Sequence, residues 1–420
     1  MIHTFELMPG ITLRCFPDNR FKQSALSIQF LRPMCREEAA LNALLPAVLL
    51  RGCEGCPDLR DITLRLDDLY GASVGALVRR VGDYQTTGLH CGFIDDRYAL
   101  QGDAIAEPMF GFLRQLLLQP VLEKGVFRTD YVESEKRNLI STIESQKNDK
   151  RAYAGSQLIR KMCAEDSFGI PRLGEKEQVA AITAESLYAH YLRVLKESPI
   201  HLFYVGSAEA ARIAEGLKTL FRGLDRACIQ LPSQSAYHVS QPGDYTEQLD
   251  VTQGKLCMGF YTPVTLRTAD FAAMQVMNVI FGAGMTSKLF MQVREKLSLC
   301  YDIGSGYHSS KGIVTVSAGI DFHQEPVVRQ QVLTQLEACQ TGDISENELT
   351  AAKQALIAQL QSTHDSPGAI EGYYATAALS GLRWTPAEYT ENIVSVTAAD
   401  VARVARSLQL HTVYFLKGVQ

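Results

Sequence analysis

Hydrophobic and polar residues alternate with a period of two in four stretches of the chain. These stretches are residues 25–33, 72–80, 86–94 and 255–262. A period of two is typical of strands that bury one face. Amphipathic segments with helical spacing lie around Leu139 and around Leu356. The pattern predicts an α+β fold in which mostly antiparallel sheets have helices packed on one face.

The two halves of the chain repeat this pattern. The stretch Ala25–Pro33 resembles Lys255–Pro263, and Ile200–Gly206 resembles Leu410–Gly418. Three further matches follow the same order, each at an offset of roughly half the chain length, which is the spacing that a tandem duplication produces. The repeat therefore predicts two tandem homologous domains.

The repeat and a change in composition predict the domain boundaries. We expect an N-terminal domain over residues 1–228, a linker over residues 229–247 and a C-terminal domain over residues 248–420. The linker is rich in Ser, Gln and Pro and loses the apolar periodicity. In each half, a threonine is predicted to cap the helix that leads into the final strand, Thr183 in the first and Thr397 in the second.

Composition and charge exclude several classes of function. Of the 420 residues, 46% are hydrophobic and 21% are charged, which suits folded domains rather than a disordered chain. A net charge of −5 lacks the positive excess that nucleic-acid or anionic-membrane binders use, so we expect neither partner. The apolar run at residues 41–50 is too short to span a bilayer, and the first residues do not resemble a signal peptide. We therefore expect a cytoplasmic protein.

The cysteines and histidines do not form a recognisable metal motif. The chain has ten Cys and nine His, and no two His are three to five residues apart, as a helix-borne zinc site requires. Cys53 and Cys56 make the one C-x-x-C pair, and no second pair accompanies it. We interpret it as an ordinary loop that follows a helix.

Other candidate motifs are weak when taken one at a time. The pairs Asp67–Asp68 and Asp95–Asp96 are expected to be solvated at element ends rather than to act as acid and base. The stretch Phe281–Phe290 lacks the G-K-[ST] ending of a phosphate loop and is expected to be a turn between helices. The stretch that contains Arg294 and Tyr301 is predicted to join the end of a helix to a strand. A guanidinium and a phenol at such a junction can hold a peptide carbonyl or carboxylate.

These last residues belong to a longer pattern. Together, Gly282–Phe290, Val293–Lys296 and Leu299–Asp302 resemble the second-domain signature of the pitrilysin or insulinase zinc peptidase family. That family includes mitochondrial processing peptidase and its bacterial relatives. The resemblance extends over nearly the whole chain and implies a duplicated α/β domain, in agreement with the repeat.

The resemblance also shows what this chain lacks. Active members carry H-x-x-E-H on a helix of the first domain and a third ligand, Glu, on a later helix. Alignment on Leu50–Cys53 puts Ala43, Pro46 and Ala47 at the His, Glu and His positions, and the later helix puts Thr142 at the third ligand. The comparison implies a degenerate zinc site with no catalytic residue, no bound metal and no cofactor in this chain.

A role follows from this combination. The resemblance implies a catalytically incomplete subunit that pairs with a homologous zinc-bearing peptidase subunit and helps bind an extended peptide substrate, and that forms a possible homodimer when isolated. Arg294 and Tyr301 match the Arg and Tyr that the family presents to the substrate backbone, and the alternative for them is a packing Tyr and an ion-paired Arg. Two other functions stay open: a purely structural assembly subunit, or a hydrolase with an unrelated site such as a cysteine nucleophile.

Overall fold

A computed structural model describes residues 2–237 and 241–418. The chain divides into two compact units. Unit 1 comprises Met1–Glu144, Pro171–Ser233 and His364–Thr376, and unit 2 comprises Ser145–Ile170, Gln234–Thr363 and Ala377–Gln420. Each unit therefore contains one segment from the other half of the sequence.

Strands and helices alternate along both halves. The strands are β1 His3–Met8, β2 Ile11–Pro17, β3 Gln23–Pro33, β4 Ser73–Val81, β5 Tyr84–Ile94, β6 Leu122–Glu123, β7 Val126–Phe127, β8 Ile200–Gly206, β9 Gly243–Leu249, β10 Gly254–Tyr261, β11 Asp302–His308, β12 Ile313–Ile320 and β13 Gln409–Gly418. The α-helices are α1 Arg36–Leu49, α2 Leu59–Asp68, α3 Ala106–Leu118, α4 Thr129–Ser145, α5 Lys150–Met162, α6 Lys176–Ala180, α7 Ala184–Glu197, α8 Ala210–Leu220, α9 Phe271–Asn278, α10 Glu325–Thr341, α11 Glu346–Ser362, α12 Pro367–Ser380, α13 Pro386–Ser395 and α14 Ala398–Ala405.

Unit 1 is built on a six-stranded sheet with the order β1-β2-β8-β3-β5-β4. Its strands pair antiparallel except for β2 with β8. Alternate residues of β3, namely Leu26, Ile28 and Phe30, belong to the apolar core that includes residues of α1, α3, α7 and α8. The period-two pattern of the sequence thus marks the face that this unit buries against its helices.

Unit 2 is built on a five-stranded sheet with the order β11-β12-β10-β13-β9, in which only β13 and β9 are parallel. The four stretches that alternate in the sequence correspond to β3, β4, β5 and β10. The predicted α+β class, with mostly antiparallel sheets, is confirmed.

A helical segment also lies on the second face of each sheet. In unit 1 this segment is residues 364–376, where the ring of Tyr374 stacks on Phe16 at 4.4 Å. In unit 2 it is α5, whose Ala154 and Leu158 pack with Cys257 of β10. The approach of α5 is close, since a Cβ at Gly259 would lie 2.7 Å from Sδ of Met162. Gly259 therefore permits the helix to sit directly on the sheet.

Both predicted helix caps are confirmed. The hydroxyl of Thr183 accepts a hydrogen bond from the backbone N–H of Ser186 at 3.2 Å, and the hydroxyl of Thr397 accepts one from Asp400 at 3.2 Å. Each cap forms a reciprocal capping box, which satisfies amides that the first helical turn leaves unbonded. The two helices that precede the final strands thus begin in the same way in both halves.

The predicted linker, residues 229–247, is irregular over residues 229–237. Residues 238–240 lie outside the described residues. The last part of the segment enters β9, an edge strand of the unit 2 sheet. Nothing in the structure tests the predicted domain boundaries at 228 and 248, which stay predictions.

Candidate functional site

The four positions that the resemblance assigns to the lost zinc site carry no metal ligand. Ala43, Pro46 and Ala47 lie on α1, and the first two of them are buried. Thr142 lies on α4, is exposed, and donates its hydroxyl to the carbonyl of Asn138 at 2.9 Å. Methyl groups, a pyrrolidine ring and a neutral hydroxyl are not ligands that zinc takes in proteins.

The helix α1 lacks one main-chain hydrogen bond at Pro46. Pro46 has no N–H, so the carbonyl of Asn42 loses its helical partner. The hydroxyl of Thr87 on β5 donates to that carbonyl at 2.7 Å instead. Across residues 2–237 and 241–418, no group of three or more His, Cys, Asp or Glu side chains is placed to hold a metal ion. The residues of this chain do not fit the family's zinc.

A buried hydrogen-bond network involves Asn42 of the same helix. The amide nitrogen of Asn42 donates to Oε1 of Gln85 at 2.9 Å, and the amide nitrogen of Gln85 donates to the carbonyls of Ala39 and Arg172. The amide oxygen of Asn42 meets Nε2 of His190 at 2.8 Å. These contacts join α1, β5 and α7 in unit 1, so polar groups specify how α1 packs.

The protonation state of His190 follows from its partners. Its ring is 2% exposed, and Nδ1 lies 3.0 Å from Nη2 of Arg193, which can only donate. The proton of the neutral ring therefore lies on Nε2 and is donated to Asn42. Burial lowers the pKa of His190 from 6.5 to about 4, and the nearby guanidinium of Arg193 acts in the same direction.

We expect this histidine to make stability depend on pH. Because the pKa is lower in the folded protein than in the unfolded chain, its contribution is complete above pH 6.5 and is lost as the pH falls through about 4. The loss at pH 4 should be about 3 kcal/mol, measured by urea unfolding across this range. His190→Gln, which can still donate to Asn42 and accept from Arg193, should flatten the decline. An equal decline in the variant would contradict this assignment.

Arg294 and Tyr301, the predicted peptide-binding pair, lie side by side in unit 2. Nε of Arg294 donates to the backbone carbonyl of Tyr301 at 2.9 Å, and its guanidinium lies 4.7 Å from the ring centre of Phe290. The phenol of Tyr301 donates to Asp321 at 3.0 Å, and the residue is 59% exposed. Arg294 also pairs with Glu295 at 3.1 Å. The side chains are oriented by the protein yet accessible at its surface.

The backbone around this pair is unusual. The segments Val279–Ala283 and Leu289–Lys296 are π-helical, a conformation that occurs most often at functional sites. Ser298, between Arg294 and Tyr301, has φ of +50°, in the left-handed region that favours glycine. The turn predicted for Phe281–Phe290 thus connects two π-helical segments.

An open cavity of about 400 Å³ lies next to this pair in unit 2. Its wall includes Phe290, the ring against which Arg294 stacks, and the guanidinium-bearing Arg151 of α5. Glycines 282, 284, 304 and 306 also line it. A glycine-lined wall leaves backbone groups open to contact by a ligand.

The other sequence candidates have structural roles. Asp95 accepts hydrogen bonds from Arg97, and Asp96 accepts the backbone N–H groups of Ile105 and Ala106 at 2.9 and 3.0 Å. Asp67 and Asp68 lie at the end of α2. None of these contacts places two carboxylates as an acid and a base.

The cysteines do not support a nucleophile. Cys53 and Cys56 exchange two backbone hydrogen bonds, of 2.8 and 3.0 Å, in a tight turn after α1, as expected for a loop. Burial raises the pKa of Cys53 to about 12 and that of Cys300, beside Tyr301, to about 11. Such thiols carry little thiolate at neutral pH, so the cysteine-nucleophile alternative gains no support.

Sequence reasoning missed the Asn42–Gln85–His190 network and Arg151. Asn42 gives one usable signal, since it is a polar residue within an apolar helix and such residues need partners when buried. The sequence gives no such signal for Arg151, because the residues around it have the pattern of an ordinary exposed helix. Its position in the cavity depends on α5 crossing the unit 2 sheet.

Comparisons with known proteins agree with this site. Residues 181–356 match the family model described as the peptidase M16 inactive domain. A probable inactive metalloprotease of Bacillus subtilis strain 168, YmfF, is 30% identical over 411 residues, which cover 98% of this chain and 96% of the relative. An uncharacterized zinc protease of the same strain, YmxG, is 23% identical over 253 residues, 57% of this chain and 59% of the relative.

A solved structure extends the match to the whole fold. A conserved protein from Enterococcus faecalis V583 superposes with a TM-score of 0.91 at 28% identity, and the match covers 100% of this chain and 99% of that one. The chain belongs to the M16 peptidase family and is an inactive homologue within it. The family resemblance inferred from the sequence is confirmed. Among the described residues, no helix is both long enough and apolar enough to cross a membrane.

Proposed function

We propose that this chain is a non-catalytic cytoplasmic subunit that pairs with a homologous zinc-bearing M16 subunit and helps bind extended peptide for proteolytic processing. The observation that carries the proposal is a contrast within one chain. The four zinc-site positions hold Ala43, Pro46, Ala47 and Thr142, whereas Arg294 and Tyr301 remain accessible beside an open cavity. A chain with this combination can contribute binding while a partner activates water.

The relatives support such a pairing. Bacillus subtilis strain 168 has both a probable inactive metalloprotease and an uncharacterized zinc protease that resemble this chain. We propose that the partner is a homologue of the second kind, encoded in the same organism. The accessible Arg294 supplies guanidinium N–H groups for a substrate carbonyl, and the phenol of Tyr301 supplies a further polar contact.

The first test compares the purified chain alone, a zinc-bearing homologue from the same organism alone, and the two together. We expect the chain alone to bind no stoichiometric zinc by elemental analysis and to cleave no peptide, and we expect the mixture to cleave faster than the homologue alone. Stoichiometric zinc together with cleavage by the isolated chain would overturn the proposal.

Substitutions at the predicted pair test its binding role. Arg294→Ala and Tyr301→Phe should each raise the KM of the reconstituted pair for peptide, by about 10-fold or more for the arginine, since a hydrogen bond from a charged group contributes about 1.5–3 kcal/mol. Arg406→Ala, which removes an exposed guanidinium elsewhere in unit 2, serves as the control. If neither KM nor kcat changes in the two variants while the complex still forms, the chain is a purely structural subunit.

One observation favours that structural alternative. Arg294 already contacts the carbonyl of Tyr301, the carboxylate of Glu295 and the ring of Phe290. These contacts can serve packing of the turn alone. Unchanged turnover with a lowered unfolding midpoint in Arg294→Ala would favour it, whereas a raised KM with an unchanged midpoint favours peptide binding.

A further inference from the structure

The edge strand β11 of the unit 2 sheet carries two glycines on one face. Residues 302, 304 and 306 of β11 share this face, because successive residues of a strand point to opposite sides. Two of the three are glycines, and their cross-strand partners on β12 are the small residues Ser317 and Thr315. Glycine inside a strand marks a place where another backbone can approach closely. The open cavity of about 400 Å³ lies along this strand.

Arg151 gives this cavity its charge. A Cβ added at Gly304 would lie 3.7 Å from Nη2 of Arg151, so the guanidinium stands directly over the bare part of the strand. The side chain of Arg151 is 52% exposed, and its one recorded ion pair in the described structure is with Asp302, at 3.2 Å. A planar guanidinium presents five N–H donors, so this single contact leaves donors for a second carboxylate.

A second cation lies on the same face. A Cβ at Gly319 would be 2.4 Å from Oδ2 of Asp302 and 3.1 Å from Nζ of Lys255, so these two side chains flank β12 next to the cavity. Asp302 thus lies near both Arg151 and Lys255, and Arg151 is the charged side chain among the described residues that line the cavity. The local excess of positive charge favours an anionic group, even though the chain as a whole is acidic.

One residue of the cavity wall contacts Arg294 of the predicted peptide-binding pair. Phe290 lines the cavity, and the guanidinium of Arg294 lies 4.7 Å from the centre of its ring. The volume of about 400 Å³ falls within the range of roughly 300–1,000 Å³ that small ligands occupy, which suits a few residues of a chain rather than a folded domain. An occupant of the cavity would thus contact Phe290, the residue against which Arg294 packs.

We propose that this cavity binds a segment of extended peptide through an acidic side chain. The Asp or Glu carboxylate pairs with Arg151, and the peptide backbone lies against Gly304 and Gly306. The inference rests on the proposed function and gives it a preference for acidic residues. Extended backbone supplies contacts without sequence selectivity, whereas the carboxylate contact with Arg151 supplies the selectivity.

The test uses the full chain and fluorescence anisotropy with three labelled ten-residue peptides of otherwise identical sequence. One has a central Glu and an amidated C-terminus, one has Gln at that position and an amidated C-terminus, and one has Gln and a free C-terminal carboxylate. We expect the Glu peptide to bind about 10-fold more tightly than both Gln peptides, which corresponds to about 1.4 kcal/mol.

Variants of residues in and near the cavity then test whether Arg151 causes the preference for the Glu peptide. Arg151→Met should abolish the advantage of the Glu peptide and leave the affinity for the Gln peptides unchanged. Asp302→Asn, which releases Arg151 from its carboxylate partner, should increase the advantage. Gly304→Val should weaken the binding of all three peptides, because a side chain there fills the cavity. Lys150→Met removes the neighbouring cation of the same helix and should change nothing.

The outcomes separate the two proposals. If the wild-type chain binds no peptide, the proposed function and this inference both fail. If it binds the Glu and Gln peptides equally, or if Arg151→Met keeps the preference, the inference is overturned and the peptide-binding function stands. Tight binding of the free-carboxylate Gln peptide would assign the site to a chain terminus and overturn the acidic side chain as the ligand.

Discussion

Replacing Lys311 by Met should destabilise the protein by about 3–5 kcal/mol, because the substitution removes a cation that pairs with a buried carboxylate. Lys311 lies in the turn between β11 and β12 and is 0% exposed. Its ammonium lies 3.0 Å from Oδ1 of Asp166, whose side chain is 7% exposed, and donates to the hydroxyl of Ser235 at 3.2 Å. Chemical denaturation of the full chain measures the change in the free energy of unfolding.

The ion pair of Lys311 with Asp166 also joins two segments of unit 2 that are far apart in the sequence. Asp166 belongs to the segment Ser145–Ile170, which the first half of the sequence contributes to unit 2. Lys311 joins this segment to the hairpin whose first strand, β11, lines the cavity. We therefore expect faster hydrogen exchange in β11 and in α5 of the variant, in addition to the lower stability.

Two further variants separate the charge effect from a packing effect. Lys311→Met combined with Asp166→Asn should recover more than half of the loss, because the asparagine keeps an acceptor for the N–H of Phe168 and removes the buried negative charge. Lys196→Met removes an exposed cation, whose partner Asp225 is 91% exposed, and should alter stability little. A single variant as stable as the wild type would contradict the assigned role of the ion pair.

Replacing Glu371 by Gln should cost about 2–4 kcal/mol, since its carboxylate is the common acceptor of a buried cluster. Glu371 is 4% exposed. It accepts hydrogen bonds from Ser27 at 2.6 Å and Gln29 at 2.8 Å on β3, and from both terminal nitrogens of Arg79 on β4, at 2.9 and 2.8 Å. An amide keeps the shape but turns one acceptor into a donor that meets other donors.

This substitution should also release the segment that bears it. Glu371 lies in residues 364–376, which the second half of the sequence contributes to unit 1. Limited proteolysis should cut this segment earlier in Glu371→Gln than in the wild type. Glu107→Gln is a matched control, because Glu107 is 68% exposed and its nearest approach to Arg212 is 3.7 Å. Equal stability and equal proteolysis of Glu371→Gln and the control would show that the cluster is dispensable.

The strands and helix caps could be predicted because their signals are local. Leu26, Ile28 and Phe30 alternate with residues of the other face, and the caps at Thr183 and Thr397 need only the next helical turn. Residues 243–247 of the edge strand β9 fall within the predicted linker, because the sequence of β9, Gly-Asp-Tyr-Thr-Glu-Gln-Leu, is mostly exposed and has little apolar periodicity. Edge strands bury less, so the signal on which the prediction depends is weak there.

The chemistry of the candidate site is likewise predictable from the sequence only in part. That Ala43, Pro46, Ala47 and Thr142 cannot hold zinc is readable from the sequence, since ligand capacity belongs to the side chain itself. The buried hydrogen-bond network of α1 is not readable from the sequence, because Asn42, Gln85 and His190 come from three elements far apart in the chain. Only their packing in unit 1 makes them partners.

The sequence by itself determined that the chain repeats, that its strands and helices alternate, that its family is that of the M16 peptidases, and which residues stand at the positions that the resemblance assigns to the zinc site. The tertiary structure decided which segments complete each unit, and with them the placement of Arg151 over β11, of Asp166 beside Lys311 and of Glu371 on β3. The physical reason is that local patterns report burial and capping within a few residues, whereas these contacts join residues more than a hundred positions apart. Their energy exists only after the chain has folded.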